Sequence, residues 1–335
     1  MESLMKIGIT HGDLNGIGYE VIIKSLVDAK MLELCTPIVY GLAKVATFHR
    51  KILNIGDFSF QFIKDPTQSV VKKPNLINLQ DSEVKIDIGT STQVAGTMAE
   101  LALRTAVNDL KNGKINAIVT APINKDNIQS DKFNFPGHTE YFCSEFNQSD
   151  SLMMMVADLL KVGFVTTHLP IQNLASAITT QKILDKLKIL YNSLVQDFRD
   201  TNPTIAVLSL NPHAGDNGLI GDEEQRIILP AIQQAIDQKM NVFGPFPSDG
   251  FFASGSYKKY SAVLAMYHDQ GMIPFKLLAG ESGVNYTAGL PIVRTSPAHG
   301  TAYDIAGKNL ASAHSMRNAI YLAIDILRNR NNWKR

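Results

Sequence analysis

The stretch Ser261–Lys276, SAVLAMYHDQGMIPFK, decides how this chain is read. Its first seven residues form an apolar run, long enough for a buried strand and too short for a helix. The run stops at His268-Asp269-Gln270-Gly271, and Pro274 and Lys276 follow at once. A strand apolar on both faces belongs to a sheet covered by helices, which is the parallel arrangement. In such sheets ligands bind beyond the carboxyl ends of the strands, where this imidazole, carboxylate and amide stand.

The same pattern recurs along the chain. Lys6–Thr10, Thr36–Gly41, Ala117–Ala121, Leu152–Ala157, Gly163–Thr167 and Thr204–Leu210 also read as short apolar strands. Amphipathic periodicity predicts helices over Tyr19–Ala29, Thr92–Asn112, Thr180–Phe198, Glu223–Lys239 and Ser312–Arg328. Ile183, Leu187, Leu190, Leu194 and Phe198 trace one helical face, and Gly113 is placed to stop the second helix. Strands alternating with helices give an α/β fold with a mostly parallel sheet. The 335 residues suffice for about two domains. No repeat, low-complexity tract or Pro/Gly/Ser linker separates them, so the two domains are expected to be interleaved.

Composition excludes several classes of function. With 45% hydrophobic and 19% charged residues and a net charge of +1, the chain has no basic or acidic block. Nucleic-acid and membrane-surface roles therefore gain no support. No apolar run approaches the ~20 residues that span a bilayer, and MESLMKIGIT does not read as a signal peptide. Two cysteines, Cys35 and Cys143, fit a reducing cytoplasm without a disulfide framework or a thiolate metal site.

Polar residues gather after the strands. THGDLNGIGYE (Thr10–Glu20) is a glycine-rich turn before a helix, suited either to an anion or simply to a tight turn. VTAPINK brings Lys125. FPGHTE brings His138, Thr139 and Glu140, with Thr139 placed to cap a helix or, with His138, to hold a phosphate. Three strand ends then deliver a histidine each: His168 in GFVTTHLP, His213 in AVLSLNPHAGDNG and His268. Parallel strand ends can converge on one rim, where three neutral imidazoles hold a divalent metal with positions left open. The other reading is three separate loop histidines, each bonded to backbone. Gly283–Lys308 is dense in glycine and polar groups, and Arg294 follows a short β-like stretch with a fork suited to phosphate or carboxylate.

GHTE, LNPHAGDNGLIGDEE, MYHDQGMIPFK, GVNYTAGLP and RTSPAHGTAYDIAGK together resemble the signatures of the 4-hydroxythreonine-4-phosphate dehydrogenase family of vitamin B6 biosynthesis. The last segment is also similar to the H-G-S-A-P-D-I-A-G-K cofactor loop of isocitrate and isopropylmalate dehydrogenases. The resemblance implies their fold: two interleaved α/β/α domains with an interdomain cleft, about 1–130 plus 272–335 on the cofactor side and 131–271 for substrate, metal and dimerisation. It implies a homodimer whose sites draw residues from both subunits. By position it implies His168, His213 and His268 as metal ligands, and His138, Thr139, Lys276, Asn285 and Arg294 as substrate-binding residues. Asp249 and Lys276 are the candidate catalytic residues, and His299, Gly300, Thr301 and Asp304 the NAD or NADP loop. Asp269 is read as orienting an imidazole, and Gly271 with Pro274 as a turn returning Lys276 to the substrate. The chain departs from the family's G-D-P-A-G-I-G-P-E, reading Gly12-Asp13-Leu14-Asn15-Gly16-Ile17-Gly18-Tyr19-Glu20, from its A-D-T at Ser248-Asp249-Gly250, and from its R-T-S-V-D-H-G at Pro297-Ala298.

The activity so implied is NAD(P)-dependent oxidation of 4-phosphooxy-L-threonine at C3, followed by decarboxylation, assisted by one divalent metal: zinc, magnesium or cobalt. Two alternatives stand beside it. One is a related dehydrogenase acting on 4-phospho-D-threonate, erythronate or another 2,3-diol acid. The other is a non-catalytic metal- or phosphate-binding relative.

Overall fold

A computed structural model describes residues 4–333. Its strands are β1 (Lys6–Thr10), β2 (Thr36–Gly41), β3 (Gln61–Ile63), β4 (Asn75–Asn78), β5 (Ala117–Thr120), β6 (Leu152–Ala157), β7 (Leu160–Phe164), β8 (Thr204–Leu208), β9 (Asn241–Phe246), β10 (Ala262–Ala265), β11 (Val284–Ala288) and β12 (Arg294–Pro297). Its helices are α1 (Gly18–Leu26), α2 (Ala29–Leu34), α3 (Ala43–Ile52), α4 (Gln93–Lys111), α5 (His138–Glu145), α6 (Leu174–Ala177), α7 (Thr180–Gln196), α8 (Leu229–Asp237), α9 (Ser248–Ala253), α10 (His268–Ala279) and α11 (His314–Trp333). Two compact units divide the chain.

The first unit holds the residues up to Asn147 and Pro291–Arg328. Its strands run β3-β4-β2-β1-β5-β12, and the pairings are parallel. Central β1 pairs on both sides, Ile7 standing opposite Pro37 and Ala117. Its Ile7 and Ile9 are fully buried, as a strand covered on both faces requires. Helix α4 starts where Thr92 Oγ1 accepts the Ala95 N–H at 3.3 Å and ends before Gly113, whose φ of +68° suits glycine. It lies so close to the following segment that a Cβ on Gly96 would stand 1.8 Å from the Asn127 carbonyl oxygen.

The second unit holds Gln148–Leu290 and the residues from Asn329 onward. Its strands run β11-β6-β7-β10-β8-β9. The β6–β7 and β6–β11 pairs are antiparallel, while β7, β10, β8 and β9 are parallel. Helix α7 begins under a Thr179 cap and buries Ile183, Leu187, Leu190 and Leu194, the predicted face, on this sheet. Each such leucine contributes about 1.5–3 kcal/mol of hydrophobic stabilisation.

The α/β architecture and its largely parallel sheets agree with the sequence pattern. Several details differ. The strand expected over Gly163–Thr167 starts at Leu160, because Ala157 and Leu160 close a two-residue hairpin. Phe198 lies beyond the end of α7. Arg294 opens strand β12 instead of following one. The turn expected at Gly271 and Pro274 is the helix α10, which carries Pro274 inside it. Proline there removes one helical N–H, but its φ suits a helix, and α10 packs on β7 and β10. Thr139 does not cap α5, which starts one residue earlier after Gly137. The units change at Asn147/Gln148 and Leu290/Pro291, later than residues 130 and 271. The ladder of β11 with β6 and the packing of α10 keep residues 272–290 with the second unit.

Candidate active site

The three histidines singled out by sequence follow three neighbouring parallel strands, in the order β7-β10-β8. They therefore lie at one edge of the second unit's sheet. The rings of His168 and His268 are 6.1 Å apart between centroids, and His268 also stacks on Phe164 at 6.0 Å. Asp269 Oδ1 stands 2.6 Å from His268 Nδ1, the carboxylate-to-imidazole contact that fixes a tautomer with Nε2 as acceptor. His213 sits in five consecutive residues of left-handed backbone, φ 52° at His213 to 56° at Asn217. Imidazoles of this kind suit a borderline divalent cation. Among the described residues of one chain, no three His, Cys, Asp or Glu side chains come together closely enough to share a metal. The structure thus brings His168 and His268 together and leaves His213 on the adjoining strand end.

What aligns these strand ends is Gln270, buried in the first turn of α10. Its Oε1 accepts the Met266 N–H at 2.7 Å, and its Nε2 donates to the Ser209 carbonyl at 2.5 Å and to Ser248 Oγ at 2.8 Å. One amide thereby ties the end of β10, the end of β8 and the start of α9. Ser248, Asp249, Tyr267, Asp269 and Gln270 line an open cavity of about 320 Å³. Asp249 is exposed in the first turn of α9, at the mouth of this cavity. Lys276 is exposed and lies eight residues, or roughly 12 Å of helix rise, beyond His268, so α10 carries it away from the rim. Asn285 is half-buried on β11, with its Oδ1 shut off from solvent and without a hydrogen-bond partner.

In the first unit, Arg294 is almost fully buried at the start of β12. It donates from Nη2 to Thr120 Oγ1 at 2.7 Å and stands 5.8 Å from the Phe142 ring centroid. Burial lowers its pKa and nearby Glu140 raises it, and a guanidinium stays charged. His138 opens α5, with its Nε2 buried and unpartnered. Burial, then the charges of Arg294 and Lys125, hold its pKa well below the usual imidazole range. A neutral imidazole beside a fixed cation can bind an anion and exchange a proton at the same place. Thr139 is half-buried in the first turn of the same helix.

The segment 299–308 contains no strand or helix. His299 has its Nε2 buried and unpartnered, and burial lowers its pKa. Nothing lies within 4 Å of the position a Cβ would take on Gly300, and Gly300 and Asp304 are exposed. An orphaned imidazole nitrogen beside open backbone suits a polar ligand such as a dinucleotide. Thr301 is held by its carbonyl, which accepts the Ile17 N–H at 3.0 Å.

The family described as "Pyridoxal phosphate biosynthetic protein PdxA" matches residues 33–323. The chain belongs to this family. It is 52% identical over 334 residues, 99% of this chain and 92% of the relative, to the 4-hydroxythreonine-4-phosphate dehydrogenase of Bacteroides thetaiotaomicron. It is 41% identical to a protein of Oceanobacillus iheyensis provisionally named D-threonate 4-phosphate dehydrogenase, covering 96% of this chain and 97% of the relative. The crystal structure of 4-hydroxythreonine-4-phosphate dehydrogenase from Klebsiella pneumoniae superposes with a TM-score of 0.83 at 36% identity, covering 97% of this chain and 98% of that one. A β-decarboxylating dehydrogenase of Thermococcus kodakarensis, 14% identical with a TM-score of 0.50 over 96% of this chain and 82% of that one, shares the fold. The expected family and fold are thus both found.

Sequence reading gave no role to four residues that the structure puts to use: Gln270, Glu224, Asn15 and Tyr303. Glu224 is buried, and its Oε1 accepts the Leu210 and Asn211 N–H groups at 2.8 and 2.7 Å. The signal was present for all four, since each stands inside a quoted stretch, but a polar residue in a motif reads first as a ligand.

Proposed function

We propose that this chain oxidises 4-phosphooxy-L-threonine at C3, with NAD or NADP as hydride acceptor, to 2-amino-3-oxo-4-phosphooxybutanoate. Loss of CO2 then gives 3-amino-2-oxopropyl phosphate, on the route to pyridoxal 5'-phosphate in the cytoplasm. Near-full-length similarity to proteins named for this reaction carries the reading. His168, His213 and His268 would hold one divalent metal, with zinc, magnesium and cobalt as candidates. A cation bound there lowers the substrate hydroxyl's pKa and stabilises the negative charge that develops at oxygen. Asp269 keeps His268 in the ligating tautomer.

Arg294, Thr139 and neutral His138 bind the substrate's anionic groups, with Asn285 and Lys276 as further substrate contacts. Such fixed anchors supply the orientation on which effective molarity depends. Asp249, at the mouth of the second unit's cavity, and Lys276 are the candidate proton-transfer groups. His299, Gly300, Thr301 and Asp304 position the nicotinamide dinucleotide, which takes the hydride. A homodimer that completes each site from both copies fits the exposure of His168, His213 and Lys276 on one chain. Apolar Ile273 and Leu277, 59% and 81% exposed on α10, support the same assembly.

The similarity to the Oceanobacillus protein favours a second reading, in which the substrate is 4-phospho-D-threonate. Reduced-cofactor formation with 4-phosphooxy-L-threonine and with 4-phospho-D-threonate separates the two. Preference for the amino acid by kcat/KM supports the first reading, and preference for the sugar acid replaces it. His213→Ala is expected to lose bound metal and turnover while keeping its fold. Full metal occupancy in that variant overturns the ligand assignment.

A further inference from the structure

The glycine-rich loop after β1 and the segment 299–308 are interlocked around one buried carboxylate. Asp13 is 1% exposed, and three neutral donors converge on it. Its Oδ1 accepts the Asn15 N–H at 2.9 Å, and its Oδ2 accepts Asn127 Nδ2 at 2.8 Å and the Tyr303 hydroxyl at 2.7 Å. Burial, followed by the bond to Asp13, pushes this phenol up to about 12, which keeps it a donor at neutral pH. Backbone contacts repeat the connection. Ile17 N–H donates to the Thr301 carbonyl at 3.0 Å, and a Cβ on Gly16 would stand 2.7 Å from that oxygen.

A third segment joins through Asn15. Its Nδ2 donates to the Thr90 carbonyl and Thr92 Oγ1, each at 3.0 Å, and its Oδ1 accepts the Asp87 N–H at 2.8 Å. Its carbonyl accepts the Gly89 N–H at 2.9 Å.

Side-chain hydrogen bonds thus hold the region at three points: Asn15 and Tyr303 as above, and Tyr19 by accepting the Leu42 N–H at 2.8 Å. Each bond that fixes a loop lowers the entropy left to be lost when a ligand orders it.

We propose that Tyr303 and Asp13 form a latch that holds the segment 299–308 in its dinucleotide-binding conformation, making Tyr303 a positioning residue that sets cofactor affinity. This rests on the reading of His299, Gly300, Thr301 and Asp304 as the cofactor loop. An ordered loop binds without the entropy cost of ordering at the moment of association.

The test is Tyr303→Phe in the full chain, read by amide hydrogen exchange over 299–308 and by titration with NADH and NADPH. The expected result is exchange faster by about tenfold in that segment and in 87–92, with dinucleotide Kd raised about tenfold, the loss of roughly one buried hydrogen bond. Asp13→Asn combined with Tyr303→Phe should weaken binding by less than the product of the single effects, because both remove the same contact. Unchanged exchange in Tyr303→Phe overturns the latch. Faster exchange with unchanged Kd keeps the contact but overturns its role in cofactor binding. A wild-type chain that binds neither dinucleotide overturns the cofactor-loop reading itself, a failure distinct from that of the latch.

Discussion

Gln270 donates its side-chain amide to the Ser209 carbonyl at 2.5 Å, joining the helix that carries His268 to the strand end that precedes His213. The same side chain accepts the Met266 N–H, so both halves of one amide are committed to backbone. The spacing of β10 and β8 beyond their last ladder hydrogen bonds is therefore set by this residue.

Gln270→Leu keeps the volume and abandons those partners. It leaves a buried N–H and a buried carbonyl unmet, each costing about 1–3 kcal/mol. The expected outcome is a drop of roughly 3 kcal/mol in urea-unfolding stability, with weaker binding of zinc at the metal site proposed on the three histidines. A variant as stable as wild type would show that water or a shifted backbone replaces the amide.

Glu224 plays the matching part for His213. The chain from His213 to Asn217 runs left-handed, a conformation costly for residues other than glycine. Glu224 holds its approach through Leu210 and Asn211, and its Oε2 accepts Asn211 Nδ2 at 3.0 Å. Glu224→Ala should cost about 3 kcal/mol or more, since three charge-assisted hydrogen bonds go together. Glu224→Gln keeps acceptors and should recover part of that loss. Limited proteolysis around residue 215 reports the loosening directly, and equal resistance in both variants and wild type would refute it.

The periodicity of α7 and the apolar runs of β1, β2 and β10 were legible because burial on one or both faces writes itself into the sequence. The short strands β3 and β4 and the polar-rimmed β11 and β12 were not, since they lack an unbroken apolar run. For α10, Gly271 and Pro274 spoke for a turn, and packing on β7 and β10 overrode that local preference. At the site, residue types with obvious chemistry stood out. Gln270, Glu224 and Tyr303 act through contacts 61, 14 and 290 residues away, which local pattern does not encode.

Arg294→Lys tests the proposed anion site. A lysine ammonium is a point donor and cannot reproduce a planar fork fixed by Thr120 and stacked near Phe142. The variant is expected to bind inorganic phosphate and the phosphorylated substrate at least tenfold more weakly, about 1.4 kcal/mol. Calorimetric titration measures it. Unaltered phosphate affinity would remove Arg294 from the binding set.

Acid sensitivity follows from a buried column in the first unit. His11 stacks on Tyr19 at 5.1 Å, and Tyr19 stacks on His49 at 5.2 Å. Burial lowers both imidazoles from 6.5 to about 4, and the neighbouring His49 further disfavours charge on His11. In the folded chain they stay neutral while the unfolded chain takes up protons below its ordinary imidazole pKa. Stability is thus intact above pH 6.5 and falls as pH drops toward 4. The loss is on the order of 3 kcal/mol per histidine across that window. His49→Phe keeps a ring against Tyr19 and gives up the contact of Nε2 with the Leu14 carbonyl at 3.0 Å. It should lose about 1 kcal/mol at neutral pH yet decline less steeply on acidification. Urea midpoints taken through the window decide it, and parallel declines in wild type and variant would place the acid sensitivity elsewhere.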